Sequence, residues 1–158
     1  MKAIQLFILA SFTITITGCN GGENKHNEHL QTNKPKTKAD SLLKDVDDDH
    51  ITGMSKMGRL TRAEQTTRRL IDSIAKLPAK GRQVAEPVKL KLDSLQKELS
   101  YAEFAMNKWM NEFNMDSSVN NVQEMINYLG SEKLKVSKVK EAILSSLQKA
   151  DSLLKDKF

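Results

Sequence analysis

From residue 88 to residue 113 the apolar positions recur in steps of four and three without a miss. They are Val88, Leu92, Leu95, Leu99, Ala102, Met106, Trp109 and Phe113. Such a run places one continuous seam on one side of a helix, as in a coiled coil. The spacing predicts a helix over about 87–114, with Pro87 suited to a first helical position. A weaker seam precedes it: Leu43, Val46, His50, Gly53, Met57, Leu60, Glu64, Thr67, Ile71 and Ile74. It predicts a helix over about 40–77, stopped by Pro78. Thr37 and Asp40 have the spacing of a capping box at its start. A third seam, Val122, Ile126, Leu129, Lys133, Val136, Lys140, Ile143, Leu147, Ala150 and Leu154, predicts a helix over about 117–155. Asp116 or Ser117 is placed to cap it. No strand-like alternation follows residue 36.

Two connections, one of nine residues and one of about three, make neighbouring helices antiparallel. The expected architecture is all-α: an up-down-up three-helix bundle over 39–158 with coiled-coil-like packing. Levelling the helices at their turns brings His50, Met54, Met57, Met106, Trp109, Met110, Phe113, Met125 and Ile126 to one height. Methionine fills irregular gaps, and its sulfur packs well on aromatic edges. The expected role of this layer is a core plug around Trp109, with His50 as a half-buried lid. Two other readings remain open for His50, Met54, Met57, Met106, Trp109 and Met110. One is soft-metal ligation by thioethers and imidazole. The other is a Met-lined groove for a partner helix or lipid tail.

The first 36 residues have a different pattern. Met1-Lys2 precedes an apolar run over 3–17, shorter than the roughly 18–20 residues a membrane span needs. A basic start, a short apolar core and small residues describe a secretory signal over 1–18. Ile16-Thr17-Gly18-Cys19 resembles the bacterial lipobox. That resemblance implies a diacylglyceryl group on Cys19, cleavage after Gly18 and acylation of the new N-terminus. Cys19 is the sole cysteine of the 158-residue chain, so no thiol remains for catalysis or disulfides. Two or more acyl chains anchor stably. The expected location is therefore the bacterial cell envelope, at the outer membrane facing the periplasm, with the membrane as a partner through the lipid on Cys19. Residues 19–38 contain one leucine and no other large apolar side chain after Cys19. They cannot offset their ordering entropy and are expected to form a flexible tether. At roughly 5–6 Å × √n it spans some 20–25 Å. His26 and His29 on such a tail do not make a rigid metal site.

Composition narrows the function classes. Aromatic residues are 5% of the chain and net charge is +5, spread along its length. Nucleic-acid binding needs a concentrated basic face and is not expected. No glycine-rich phosphate loop, nucleophile elbow or H-E-x-x-H motif occurs, so no enzyme, cofactor or catalytic residue is expected. Asp47-Asp48-Asp49 lacks the alternating spacing of a calcium loop. Consecutive helical residues also diverge by about 100°, at 3.6 residues per turn.

His50-x-x-x-Met54-x-x-Met57-Gly58 and Ala102-Glu103-x-x-Met106-x-x-Trp109-Met110-x-x-Phe113 resemble two signatures of a family. These are small Bacteroidetes lipoproteins usually labelled "viral A-type inclusion protein". The likeness covers roughly 42–156. The label implies no viral function, and the family has no assigned activity. Its members commonly carry acidic residues after the histidine, where this chain has Ile51 and Thr52. The expected function is an envelope-anchored, non-enzymatic interaction or spacer module. The alternative is a binding protein for a small apolar ligand or soft metal.

Lys38–Asp45 and Lys149–Asp156 are the same octapeptide, KADSLLKD. With a second helix of about 27 residues between two of about 38, each long helix overhangs by roughly 15 Å, at opposite ends. Each overhang would then expose a Leu-Leu pair, and head-to-tail self-association is an expectation.

Overall fold

The computed structural model describes residues 36–116 and 121–155. The predicted signal segment, Cys19, most of the tether with His26 and His29, and the predicted cap Ser117 lie outside the described residues. Three helices follow in order: α1 (Lys38–Ala75), α2 (Ala79–Glu112) and α3 (Val122–Leu154). They pack pairwise as an all-α three-helix bundle. Among the described residues, no helix is long and apolar enough to cross a membrane.

The start of α1 follows from Thr37. The Asp40 amide donates to Thr37 Oγ1 at 3.1 Å, and the Thr37 amide donates to Asp40 Oδ2 at 3.0 Å. Two otherwise orphaned donors are thereby satisfied. The fully buried residues of α1 are Val46, Gly53, Leu60 and Thr67, one per heptad. Gly53 and Thr67 look like leaks in the seam, yet both are buried inside the bundle. A Cβ on Gly53 would stand 2.4 Å from the Met106 methyl. Thr67 satisfies its hydroxyl within its own helix by donating to the Ala63 carbonyl at 2.8 Å.

Helix α2 begins at Ala79, eight residues before the predicted start, and Pro87 lies inside it. The residues from Ala79 to Glu86 are mostly good helix formers. The Arg82 amide donates to the Pro78 carbonyl at 3.0 Å, and the Arg82 guanidinium donates to the Leu77 carbonyl at 2.7 Å. Pro87 removes one donor, whose i−4 acceptor belongs to Gln83. Both residues are exposed, so water can take that carbonyl. The α2 core is Leu92, Leu95, Leu99, Ala102, Met106 and Trp109, in steps of three and four.

Helix α3 starts at Val122, capped by Asn121 rather than by Asp116 or Ser117. Asn121 Oδ1 accepts from the Gln123 and Glu124 amides at 3.0 and 3.2 Å. The predicted Leu129, Val136, Ile143, Leu147, Ala150 and Leu154 are buried, but Glu132 and Val139 take the inner places expected of Lys133 and Lys140. Glu132, Val139 and Ser146 are buried, whereas Lys133 and Lys140 are half-buried and Val122 is exposed. The two lysines reach across to α1 instead. Lys133 pairs with Asp45 at 2.5 Å, and Lys140 pairs with Asp49, which also accepts from Ser137. Burial works to raise the Asp49 carboxyl, but the hydrogen bonds from Lys140 and Ser137 hold its pKa below the ordinary aspartate value.

These pairs set the vertical register. Arg59 meets Asp151 at 2.5 Å, and Lys149 meets Glu98 at 2.6 Å. The last turn of α3 therefore lies beside α1 and α2, with Leu154 buried. The expected α3 overhang is corrected: α3 has 33 residues and α2 has 34, so the short helix is not α2. Instead the α1–α2 hairpin projects beyond α3, roughly from Arg68 to Lys91. At the opposite end α2 stops at Glu112, and α1 projects past it beside the start of α3. Among the described residues, the hairpin end is thus a two-helix segment, and the opposite end is formed by the starts of α1 and α3 beside the end of α2.

Candidate functional site

At the end where the chain enters the bundle, Trp109 organises a ladder of rings. The His50 and Trp109 centroids are 5.3 Å apart, Trp109 and Phe113 stack at 5.0 Å, and Phe113 and Tyr128 at 6.1 Å. The Tyr128 hydroxyl accepts from the Asn114 amide at 2.8 Å, which fixes the chain as it leaves α2. Trp109 is 6% exposed. Its indole N–H is satisfied from α3, by Glu132 Oε2 at 2.9 Å. Glu132 is itself buried, and Lys135 donates to its other oxygen at 2.7 Å. That hydrogen bond and charge push the Lys135 ammonium's pKa upward. A buried carboxylate on an inner helix position is explained by these two donors, one neutral and one charged.

The expected layer divides. Met106 is fully buried over Gly53, while Met57, Met110, Met125 and Ile126 are half-buried. Met54 is 39% exposed and faces solvent. His50 touches Trp109, but its Nε2 is buried without a hydrogen-bond partner among the described residues. Among those residues, no group of three or more His, Cys, Asp or Glu is arranged to hold a metal ion.

Beside the ladder lies a groove of about 1040 Å³, between the start of α1 and the end of α2. Its apolar walls are Leu43, Val46, Trp109, Met110, Phe113 and Met115, with His50 among them. Lys36, Asp40, Lys44, Asp47 and Asp48 form a charged rim. The volume lies at the upper end of small-ligand pockets, at roughly 300–1000 Å³. Sequence reasoning missed Glu132, Tyr128 and Met115. Glu132 was findable: it falls midway between Leu129 and Val136 in the three-four spacing of the inner seam. Its charge is what hid it.

The chain matches no family model, and no significant match is found among curated proteins or solved structures.

Proposed function

We infer that the protein is a lipid-anchored, non-enzymatic rod of the bacterial cell envelope that presents interaction surfaces at its ends. The observation that supports this reading is the polarity of the bundle. The chain enters at Lys36, 17 residues after Cys19, and Lys36 is on the rim of the groove at one extremity. At about 1.5 Å per residue, α1 carries the fold about 57 Å to the opposite tip. Acyl chains on Cys19 would anchor the protein through the segment that leads into Lys36, and the hairpin tip lies at the other end of α1. The likeness to small Bacteroidetes lipoproteins agrees with an outer-membrane, periplasm-facing location.

The test is metabolic labelling with palmitate and detergent partition of the wild type and Cys19→Ser. The wild type takes label and partitions into detergent, whereas Cys19→Ser is unlabelled and either soluble or retained as precursor. Equal labelling of both removes the anchor from this reading.

A second reading, binding of a small apolar ligand, is favoured by the groove and by the unpartnered His50 Nε2. The soft-metal variant has less support, because Met54 points to solvent and the Met106 methyl is committed to Gly53.

A further inference from the structure

The two ends of the rod carry opposite charge. Between Arg68 and Lys91 the hairpin tip has seven Lys or Arg against Asp72 and Glu86, a net of +5. Arg69, Lys76, Lys80, Arg82 and Lys91 have no carboxylate partner among the described residues. At the groove end, segment 36–49, which includes the rim residue Lys36, has five Asp against three Lys. Segment 108–116 has two acids and one Lys, and segment 121–135, with Lys135 paired to Glu132, has two acids and two Lys, so the groove end totals −3. Asp47, on the groove rim, has no ion-pair partner among the described residues.

The tip is an α1–α2 pair projecting beyond α3, and the groove lies between the start of α1 and the end of α2. The tip extends roughly 12 Å along α1 and 20 Å along α2, and the groove end projects about 14 Å, at the helical rise per residue. Leu77, Val84 and Leu90 are exposed on the tip at 38%, 77% and 60%, and Met115 on the groove at 54%. An apolar centre rimmed by charge is the usual anatomy of a specific contact.

We propose that the groove receives the basic hairpin tip of a second copy of this chain, so that copies join end to end. The proposal deepens the interaction-module reading by naming its partner, and it rests on that reading. A polyanion would engage only the tip, and an apolar ligand only the groove. A second copy engages both ends at once, with complementary charge at each. Such a heterologous contact propagates into a chain where its rotation does not close a ring. The contact is not one between the two KADSLLKD copies. The second copy begins on the part of α3 packed beside α1 and α2, away from the open tip.

The test is sedimentation velocity on the chain from Asn20 onward. That chain retains the whole core, which lies between Val46 and Leu154. The unmutated chain is expected to sediment faster with rising concentration, with no plateau at a dimer. It is expected to return to monomer in about 1 M salt, where the Debye length is about 3 Å. Asp47→Lys alone and the pair Lys76→Glu/Lys80→Glu, each checked for helicity by circular dichroism, are expected to lose self-association. Mixed together they are expected to regain a salt-sensitive heterodimer, since each supplies the end the other lacks. An unmutated chain that stays monomeric to millimolar concentration overturns the proposal. So does association that neither charge reversal alters. A monomer whose Trp109 emission responds to added lysophospholipid also overturns it, and assigns the groove to an amphiphile. None of these outcomes touches Cys19 labelling, which separately decides the anchor.

Discussion

Trp109 on α2 and Glu132 on α3 form a buried hydrogen bond of 2.9 Å between two residues that are 6% and 3% exposed. Lys135 occupies the second carboxylate oxygen, so neither group is left unpaired. The pair ties the end of α2 to α3. Trp109→Ala is expected to lose about 3–5 kcal/mol of stability, as for other large core aromatics. Trp109→Phe keeps most of the packing but strands one carboxylate oxygen, and is expected to lose about 1–3 kcal/mol. Urea unfolding of both, with Glu132→Gln in a double-mutant cycle, measures the coupling. A double variant whose loss is smaller than the sum of the two single losses shows that the two residues are coupled.

The seam of α2 was legible because every inner residue from Leu92 to Trp109 is apolar. The α1 start was legible because Thr37 and Asp40 are three apart, the spacing that capping requires. In α3, Lys133 and Lys140 were read as inner in place of Glu132 and Val139, and Ser146 was not read as inner; Glu132 and Ser146 were hidden by their polarity. Each is satisfied by a partner that only folding supplies: the Trp109 indole and Lys135 for Glu132, the Ile143 carbonyl for Ser146. Pro87 was read as a start signal. Its tolerance inside α2 depends on the solvent exposure of its turn, which local sequence does not report. The groove was less legible still, because it follows from where α2 stops relative to α1.

Glycines on the two faces should respond in opposite ways. A Cβ on Gly130 meets nothing within 4 Å. Gly130→Ala is therefore expected to stabilise α3 by about 0.4–1 kcal/mol. The same change at Gly53 gains a similar helical preference but places a carbon 2.4 Å from the Met106 methyl. Met106 is flexible yet fully enclosed, and repacking costs about 1–3 kcal/mol. Gly53→Ala is expected to be neutral to destabilising, and Met106→Leu, which lacks the terminal methyl, to relieve the clash. Chemical denaturation midpoints of the three variants check the order. A stabilising Gly53→Ala contradicts the close approach.

Acid should weaken the α1–α3 contact before the remainder of the core. The Asp49 carboxyl is held below the ordinary aspartate value, so its contribution is complete above that value. It is lost as pH falls from about 4 through the lower folded value. Asp49→Asn is expected to be less stable than wild type at neutral pH, with the difference shrinking in acid. Glu103 has the opposite sign. Burial and the hydrogen-bonded Glu64 carboxylate push its pKa up, so its ionisation opposes folding at neutral pH. Glu103→Gln is expected to stabilise at neutral pH and to lose that advantage in acid. Thermal unfolding from pH 3 to 7 follows both differences, and parallel pH profiles for the two variants contradict this assignment.

His50 contributes a ring to the aromatic ladder and a nitrogen that finds nothing. Its centroid is 5.3 Å from that of Trp109, while Nε2 is buried without a partner among the described residues. An unsatisfied polar atom in such a place costs about 1–3 kcal/mol. His50→Phe retains an aromatic face against Trp109 and removes the stranded nitrogen. In the isolated chain this variant is expected to be as stable as wild type, or more stable by up to about that amount. A groove occupant that supplies a hydrogen bond to Nε2 reverses the order, because only the wild type gains from it. Thermal unfolding of both chains, alone and with lysophospholipid, separates the cases. A His50→Phe chain less stable than wild type when isolated shows that Nε2 is already satisfied.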